Sequence, residues 1–180
     1  MKNRIPSFAR RIARPLRDAQ KKLLDKYLPK LDVTEKFSLP LEFQRIVLEI
    51  GFGNGEFLAA NAESNPDTLF VGCEPYLNGV ASFLKILDDK ELKNVMLYTN
   101  DIRNLLPNIQ PNSLDIVYVI CPDPWPKQKQ KKRRLLQSEF LIQLSEKSKK
   151  IIIATDHHDY AKWILKHIHQ SKTFSIKSEN

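Results

Sequence analysis

From Arg45 onward, short apolar runs alternate with longer segments in which apolar residues recur at helical spacing. The apolar runs predict five strands, at residues 45–51, 68–74, 94–101, 113–122 and 149–156. The helical spacing predicts helices at residues 55–64, 76–89, 135–148 and 158–170, and a short helical turn at 102–107. Strands that alternate with amphipathic helices form right-handed βαβ units. We therefore predict an α/β fold with a mostly parallel, twisted sheet and helices on both faces.

A further helix is predicted ahead of this alternation. Pro15 can begin a helix, and six apolar residues follow it at helical spacing: Leu16, Ala19, Leu23, Leu24, Tyr27 and Leu28. Residues 29–44 start at Pro29, contain a second proline and predict a linker. We therefore divide the chain into a basic helix with its linker, residues 1–44, and a main domain, residues 45–180.

Size and composition exclude several classes of protein. A chain of 180 residues with 42% hydrophobic and 28% charged residues is typical of one globular domain. It has no run of 18 apolar residues and no apolar signal segment, so we expect a cytoplasmic protein that does not span a membrane. The two cysteines, Cys73 and Cys121, are expected to be reduced and buried. No spacing of Cys or His residues predicts a metal site.

The net charge of +8 is concentrated in two blocks. Residues 1–36 hold eleven Lys or Arg against four Asp or Glu, and residues 127–134 hold six basic residues and no acid. Clustered positive charge is the electrostatic signature of a polyanionic partner, because neutralising phosphates releases their counterions. Two separate blocks favour a nucleic-acid partner over a solvated surface.

An acidic residue lies at the end of each predicted strand. These residues are Glu49, Glu74, Asp101, Asp123 and Asp156. The carboxyl ends of parallel strands meet at one edge of the sheet, where such folds bind their ligands. Five carboxylates gathered there would repel one another, so we expect a cationic ligand between them.

The turn after the first strand narrows the choice of ligand. Its glycines begin at Gly51 and follow a G-x-G-x-G spacing, whereas dinucleotide-binding folds use G-x-G-x-x-G. Glu49 would repel a diphosphate but could bind an ammonium group, Glu74 suits a ribose diol, and Asp101 could accept from an adenine amine. These needs are those of S-adenosylmethionine, with Gly51 in the turn beside the cofactor. The glycine spacing disfavours a nicotinamide oxidoreductase.

Several motifs resemble one enzyme family. The segments LEIGFGNGEFL, CEPYLNGV, CPDPWPK, KRRL and ATDHHDY, with the N-terminal SFARRIARPL, are similar to those of bacterial tRNA (guanine-N7)-methyltransferases and extend over nearly the whole chain. The resemblance implies a Rossmann-like class I methyltransferase fold and methyl transfer to N7 of guanine 46 in the variable loop of tRNA. It also implies that Asp123 is catalytic and that Lys127 and Asp156 contact the RNA. Four carboxylates would contact the cofactor: Glu49, Glu74, Asp101 and Asp123.

The segment CPDPWPKQKQKKRR joins rigid and basic residues. Guanine N7 carries a free lone pair, so methyl transfer needs orientation more than a strong base. Prolines restrict the backbone around Asp123, and Asp123 or Asp156 could accept hydrogen bonds from the guanine ring N–H and amino group. Trp125 could stack on a base drawn out of its stack, or pack beneath the loop. The following basic residues are predicted to contact RNA: Lys129, Lys131, Lys132, Arg133 and Arg134.

The chain departs from the family pattern in two places. Lys129 and Gln130 stand where the family usually has Arg-His, so the bidentate fork of arginine is lost. The sequence stops at Asn180, before the family's downstream Thr-x-x-Glu-type segment and before a complete C-terminal strand pair. We therefore expect an exposed sheet edge, and either a monomer or a homodimer formed across that edge.

Two other functions stay open at this point. The chain could be a tRNA-binding protein of the same fold without turnover, or an amino-methyltransferase that acts on adenine or cytosine. Enzymes of the second kind use an Asp/Asn-Pro-Pro-aromatic loop, whereas this chain has Asp123-Pro124-Trp125 with a single proline between acid and ring.

Overall fold

The sheet contains five parallel strands in the order β3-β2-β1-β4-β5. A computed structural model of the chain describes residues 8, 11, 14–33 and 43–177. The strands are β1 (Arg45–Ile50), β2 (Thr68–Cys73), β3 (Val95–Tyr98), β4 (Leu114–Ile120) and β5 (Ser148–Ala154). The helices are α1 (Asp18–Leu31), α2 (Glu56–Ser64), α3 (Leu77–Lys90), α4 (Ile102–Leu105), α5 (Ser138–Lys147) and α6 (His158–Ser171), with 3₁₀ helices at Leu106–Asn108 and Gln128–Arg133. The predicted parallel α/β fold is confirmed.

Apolar side chains of the strands alternate between two cores, one on each face of the sheet. In β1, Ile46, Leu48 and Ile50 belong to the core formed with α4, α5 and α6. Val47 belongs to the core formed with α1, α2 and α3. Because helices cover both faces, the central strands β1 and β2 are buried along nearly their whole length. Of the helices in the described ranges, none has both the length and the apolar character needed to cross a bilayer.

The N-terminal helix packs on the same body as the sheet. Leu24 is buried in the core that includes α3, and Leu23 and Leu28 pack against that core. The helix continues through Pro29 to Leu31, so the prediction that a linker starts at residue 29 is wrong. Packing against α3 stabilises this last turn although the proline cannot donate a helical hydrogen bond.

The chain after α1 pairs with the edge of the sheet. Asp32 forms a parallel bridge with Leu97 in β3, and the Val33 N–H donates to the Leu97 carbonyl at 2.6 Å. This contact covers part of the β3 edge and fixes the exit of α1. The rest of the predicted linker, residues 34–42, lies outside the described residues.

Helix α5 begins later than its sequence pattern predicts. The pattern starts at residue 135, but the first helical residue is Ser138. Leu136 is buried, its N–H donates to the Tyr160 hydroxyl at 3.4 Å, and its carbonyl accepts from Trp163 Nε1 at 3.2 Å. These contacts with α6 hold the segment before Ser138 in an extended conformation, and His167 Nδ1 accepts from the Ser138 N–H at 3.1 Å.

The described part of the chain ends without a sixth strand. Residues 172–177 follow α6 without helix or strand structure, and residues 178–180 lie outside the described residues. Among the described residues, no strand pairs with the outer edge of β5. The expected open edge is therefore present within this range.

Candidate active site

A cavity of about 800 Å³ opens at the carboxyl ends of the strands. It lies where the strand order reverses between β1 and β4, the position at which doubly wound sheets bind ligands. Predicted site residues line it from four segments: Gly51 after β1, Glu74 after β2, Asp101 after β3 and Asp123 after β4. The parallel sheet thus brings together residues that are far apart in the sequence.

The glycine turn forms one wall of the cavity. Gly51, Gly53 and Gly55 have φ angles of +78°, +58° and +84°, a left-handed region that other residues adopt only with strain. Helix α3 lies directly against this turn: a Cβ on Gly79 would be 2.3 Å from the Gly53 carbonyl oxygen. The turn therefore depends on glycine both for its own conformation and for the close approach of α3.

Glu74 is held by two backbone N–H groups. Its Oε2 accepts from Gly53 and its Oε1 accepts from Tyr76, each at 2.9 Å. Burial raises the pKa of this carboxyl, the two hydrogen bonds lower it, and the charge of Asp123 raises it. Each carboxylate oxygen has a second lone pair, so Glu74 can still accept from the hydroxyls of a diol.

Glu49 is a buried acid on the central strand. Its exposed fraction is 4%, and Oε2 has no hydrogen-bond partner among the described residues. Burial, and then the charge of Glu74, raise the pKa of Glu49 to about 7. A buried carboxylate is costly unless it is paired. The position therefore fits a positively charged group of a ligand beside Glu49.

Asp101 forms an ion pair that sequence reasoning missed. Arg103 Nε donates to Asp101 Oδ1 at 2.9 Å and Nη2 donates to Oδ2 at 2.7 Å. Oδ1 also accepts from the Arg103 backbone N–H at 3.0 Å, which caps α4. Both residues line the cavity. An adenine amine would therefore share the Asp101 carboxylate with Arg103, and the only sequence signal for this pair is its spacing of two residues.

The Pro-rich loop, residues Cys121–Pro126, follows β4. Cys121 and Trp125 have φ angles of +47° and +42°, which bulky residues rarely adopt. Cys121 is exposed and lines the cavity, so the expectation that it is buried is wrong. The chain leaves the sheet after Ile120 and turns at once, which brings Cys121 out of the core. Cys73 is buried as expected, and its thiol donates to the Asn100 carbonyl at 3.3 Å.

An aromatic and cationic cluster lines the cavity beside Asp123. The guanidinium carbon of Arg133 lies over the Trp125 ring, 5.0 Å from its centre, and over the Phe8 ring, 5.4 Å from its centre. Asp123 itself is exposed, and its charge reaches Glu74. Arg133 therefore already covers one face of Trp125, and no sequence pattern linked Phe8 to this site.

The predicted RNA contacts differ sharply in exposure. Four are exposed on or beside the 3₁₀ helix Gln128–Arg133: Lys127, Lys129, Lys132 and Arg133. Lys131 is half-buried and donates to Asp159 at 3.1 Å. Arg134 is only 1% exposed, so the prediction that it contacts RNA is wrong. Its guanidinium faces α6 and the Pro-rich loop and leaves no surface for a phosphate.

Two of the five strand-end acids do not line the cavity. Glu49 is buried one residue before Ile50, which does line the cavity, and Asp156 is exposed in the turn after β5. Within the described ranges, no three His, Cys, Asp or Glu side chains are grouped closely enough to hold a metal ion. The arrangement combines the buried Glu49, which suits a cation, with Glu74, which can accept from a diol, and the exposed Asp123 in the lining of the cavity.

Comparison with protein families identifies relatives of known type. Residues 43–180 match the family described as "Putative methyltransferase". The tRNA (guanine-N(7)-)-methyltransferase of Wolbachia pipientis wMel is 44% identical over 140 residues, 76% of this chain and 63% of the relative. The enzyme of the same name from Caulobacter vibrioides (strain NA1000 / CB15N) is 38% identical over 180 residues, 96% of this chain and 80% of the relative.

Some relatives are much longer. A protein named bifunctional methyltransferase from Rickettsia felis (strain ATCC VR-1525 / URRWXCal2) is 41% identical over 177 residues, but this chain spans only 33% of its length. Among solved structures, an antibiotic-related methyltransferase matches with a TM-score of 0.55 at 15% identity, over 79% of this chain and 80% of that chain. At this identity the likeness concerns the fold, and it confirms the predicted Rossmann-like class I methyltransferase fold.

We expect Glu49→Gln to stabilise the protein at pH 8 and to have little effect near pH 4. The folded-state pKa is raised from 4.5 to about 7, so the associated stability is present below pH 4.5 and is lost as the pH rises through 7. The glutamine side chain is neutral at both pH values. The melting temperature of the Glu49→Gln variant should therefore exceed that of the wild-type protein by roughly 5 °C at pH 8. Thermal unfolding followed by circular dichroism measures this difference. The matched control is Glu146→Gln on the exposed surface of α5, and an equal gain at both pH values would contradict the burial of Glu49.

Proposed function

This chain belongs to the tRNA (guanine-N7-)-methyltransferase family, and on that premise we propose that it transfers a methyl group from S-adenosyl-L-methionine to guanine N7 in tRNA. The observation that carries the proposal is the cavity at the switch point, where the charge of Asp123 acts on the buried Glu74, and Glu74 in turn acts on the buried Glu49. The relatives' names supply the base and the kind of RNA. Guanine 46 in the variable loop remains a prediction from the resemblance.

Residues of the cavity, together with the buried Glu49 that directly precedes the lining residue Ile50, fit the cofactor by their chemistry. S-adenosylmethionine would supply a methyl group made electrophilic by its bond to a sulfonium. The unpartnered Glu49 oxygen suits the ammonium group, and Glu74 suits the ribose hydroxyls. Asp101, with Arg103 beside it, would accept from the adenine amine, and the turn at Gly51 would lie against the nucleoside.

Asp123 holds the guanine in this proposal. Guanine N7 already has a lone pair, so the protein need not remove a proton before transfer. Asp123 would accept hydrogen bonds from the ring N–H and the amino group, which orients N7 toward the methyl group. Asp156 would be a second acceptor farther out, and Trp125 would give the base an apolar neighbour.

The exposed basic residues beside the Pro-rich loop would bind the RNA backbone. Lys127, Lys129 and Lys132 are exposed, and Arg133 borders the cavity. Positive charge at this position attracts the phosphates on either side of the target base. A tRNA substrate agrees with the predicted cytoplasmic location.

A transfer assay tests the proposed reaction directly. We expect the protein to incorporate about one labelled methyl group per unmodified tRNA transcript, because one guanine is selected and oriented. Replacing the target guanine by 7-deazaguanine should abolish incorporation, since that base lacks the accepting nitrogen. The control transcript carries 7-deazaguanine at a guanine outside the variable loop. Continued methylation of the target would exclude N7, and tRNA binding without any transfer would favour a binding protein.

The role of Asp123 is tested by Asp123→Asn. The change keeps the size of the side chain but replaces one accepting oxygen by a donor that faces the guanine N–H groups. We expect the single-turnover rate to fall by about 100-fold, with a melting temperature close to that of the wild type because Asp123 is exposed. Asp67→Asn, on the exposed turn before β2, is the matched control. An unchanged rate in Asp123→Asn would remove this residue from the mechanism.

The RNA-binding surface is tested by removing three charges. We expect simultaneous Gln substitution of Lys127, Lys129 and Lys132 to weaken tRNA binding and to lower the slope of log K against log salt by about 2 to 3. The control replaces a lysine triplet at the opposite end of the sheet by Gln: Lys147, Lys149 and Lys150. Filter binding at several salt concentrations measures both sets. Equal slopes for the two variants would locate the RNA elsewhere.

A further inference from the structure

One arginine of the basic run lies inside the protein while its neighbour is exposed. Arg134 is 1% exposed, whereas Arg133 is exposed and borders the cavity. A guanidinium is almost never buried without partners, because taking its charge out of water is costly. The contacts of Arg134 therefore indicate what its burial is for.

Arg134 connects α6 to the middle of the Pro-rich loop. Its Nε donates to the Pro124 carbonyl at 2.7 Å, and its Nη2 donates to Asp159 Oδ2 at 2.5 Å. Its guanidinium carbon also lies 4.9 Å from the centre of the Tyr160 ring and 5.0 Å from that of Trp163. The planar, branched donor set of arginine makes these contacts at once, which a lysine cannot do.

The rest of the environment keeps Arg134 in place. Leu136, two residues after Arg134, is bonded to α6 on both sides: its N–H donates to the Tyr160 hydroxyl, and its carbonyl accepts from Trp163 Nε1. Nη1 of Arg134 is buried without a hydrogen-bond partner among the described residues. A buried donor left unpaired lowers stability, so the contacts of Arg134 are not arranged for stability alone.

The Pro-rich loop needs an external support. Its prolines have no N–H to donate, and Cys121 and Trp125 both have left-handed backbone angles. Such conformations are strained and persist only when the surroundings hold them. Pro124 lies between Asp123 and Trp125. Since the peptide unit is planar, a bond to the Pro124 carbonyl also restrains the Trp125 backbone that follows it.

From this geometry we infer that Arg134 is a positioning residue, which holds the Pro-rich loop through the Pro124 carbonyl and thereby orients Asp123 and Trp125. The inference rests on the proposed function for the role of Asp123. It replaces the predicted RNA contact of Arg134 by an internal one. Asp159 belongs to the same device, because its carboxylate accepts from both Arg134 and Lys131.

The first test is Arg134→Lys, which keeps the positive charge and loses the branched donors. We expect the single-turnover rate of methyl transfer to fall by about 100-fold, because the reacting groups are misplaced. The dissociation constant for tRNA and its salt dependence should stay at wild-type values. Arg45→Lys, at the exposed start of β1, is the matched control and should transfer at the wild-type rate.

A second readout does not depend on activity. The chain has two tryptophans, Trp125 and Trp163, so a Trp163→Phe background leaves Trp125 as the only fluorescent indole. In that background Arg134→Lys should increase quenching of Trp125 by acrylamide, because the loop loses its support. If the wild type fails to methylate tRNA, the proposed function fails, while this quenching difference still decides the positioning role.

Three results would overturn the inference. If Arg134→Lys lowers the melting temperature but leaves the transfer rate and Trp125 quenching unchanged well below that temperature, Arg134 serves packing only. If Arg134→Gln lowers the salt slope of tRNA binding by about 1, the residue contacts a phosphate after all. Should Arg134→Lys fail to fold, Asp159→Asn weakens the same device from its exposed side. We expect a roughly tenfold slower transfer from it, and an unchanged rate would contradict the inference.

Discussion

Unbalanced negative charge at the carboxyl ends of the parallel strands is the constraint on which this site depends. Two neighbouring strands bring buried glutamates, Glu49 and Glu74, to one edge of the sheet. Backbone N–H groups hold Glu74, whereas Oε2 of Glu49 has no partner among the described residues. A buried carboxylate without a partner, such as that of Glu49, lowers the stability of the ligand-free protein. The same carboxylate raises the affinity of the site for a cation. The edge is therefore suited to a positively charged nucleoside.

A second constraint acts on the loop that carries Asp123. Prolines limit the conformations of this loop, but they also remove the N–H groups that could form hydrogen bonds within it. The support comes from Arg134 and α6, through a bond to the Pro124 carbonyl. Two residues of one basic segment thus have different roles. Lys132 is exposed to solvent, where its charge can attract a polyanion. Arg134 is buried, where the directions of its hydrogen bonds matter more than its charge.

Sequence reasoning located residues whose surroundings are formed by nearby parts of the chain. It misplaced residues whose surroundings are formed by distant parts. The glycine turn and the acids after the strands were found because turn spacing and strand ends are properties of the nearby chain. Cys121 and Arg134 carried no such signal. The burial of Arg134 depends on Asp159 of α6, 25 residues later in the chain. From the sequence alone, Arg133 and Arg134 cannot be told apart, because only the packing of α6 buries one of them.

The sequence by itself determined the alternation of strands and helices, the parallel sheet, the acids at its edge and the family to which the motifs belong. Only the tertiary structure decided which acids line the cavity, that Asp156 lies outside it, that α1 packs on α3, and that Arg134 supports a loop. The physical reason is that periodicity records which face of an element is apolar. Burial and pairing of a given side chain depend on elements that arrive from distant parts of the chain.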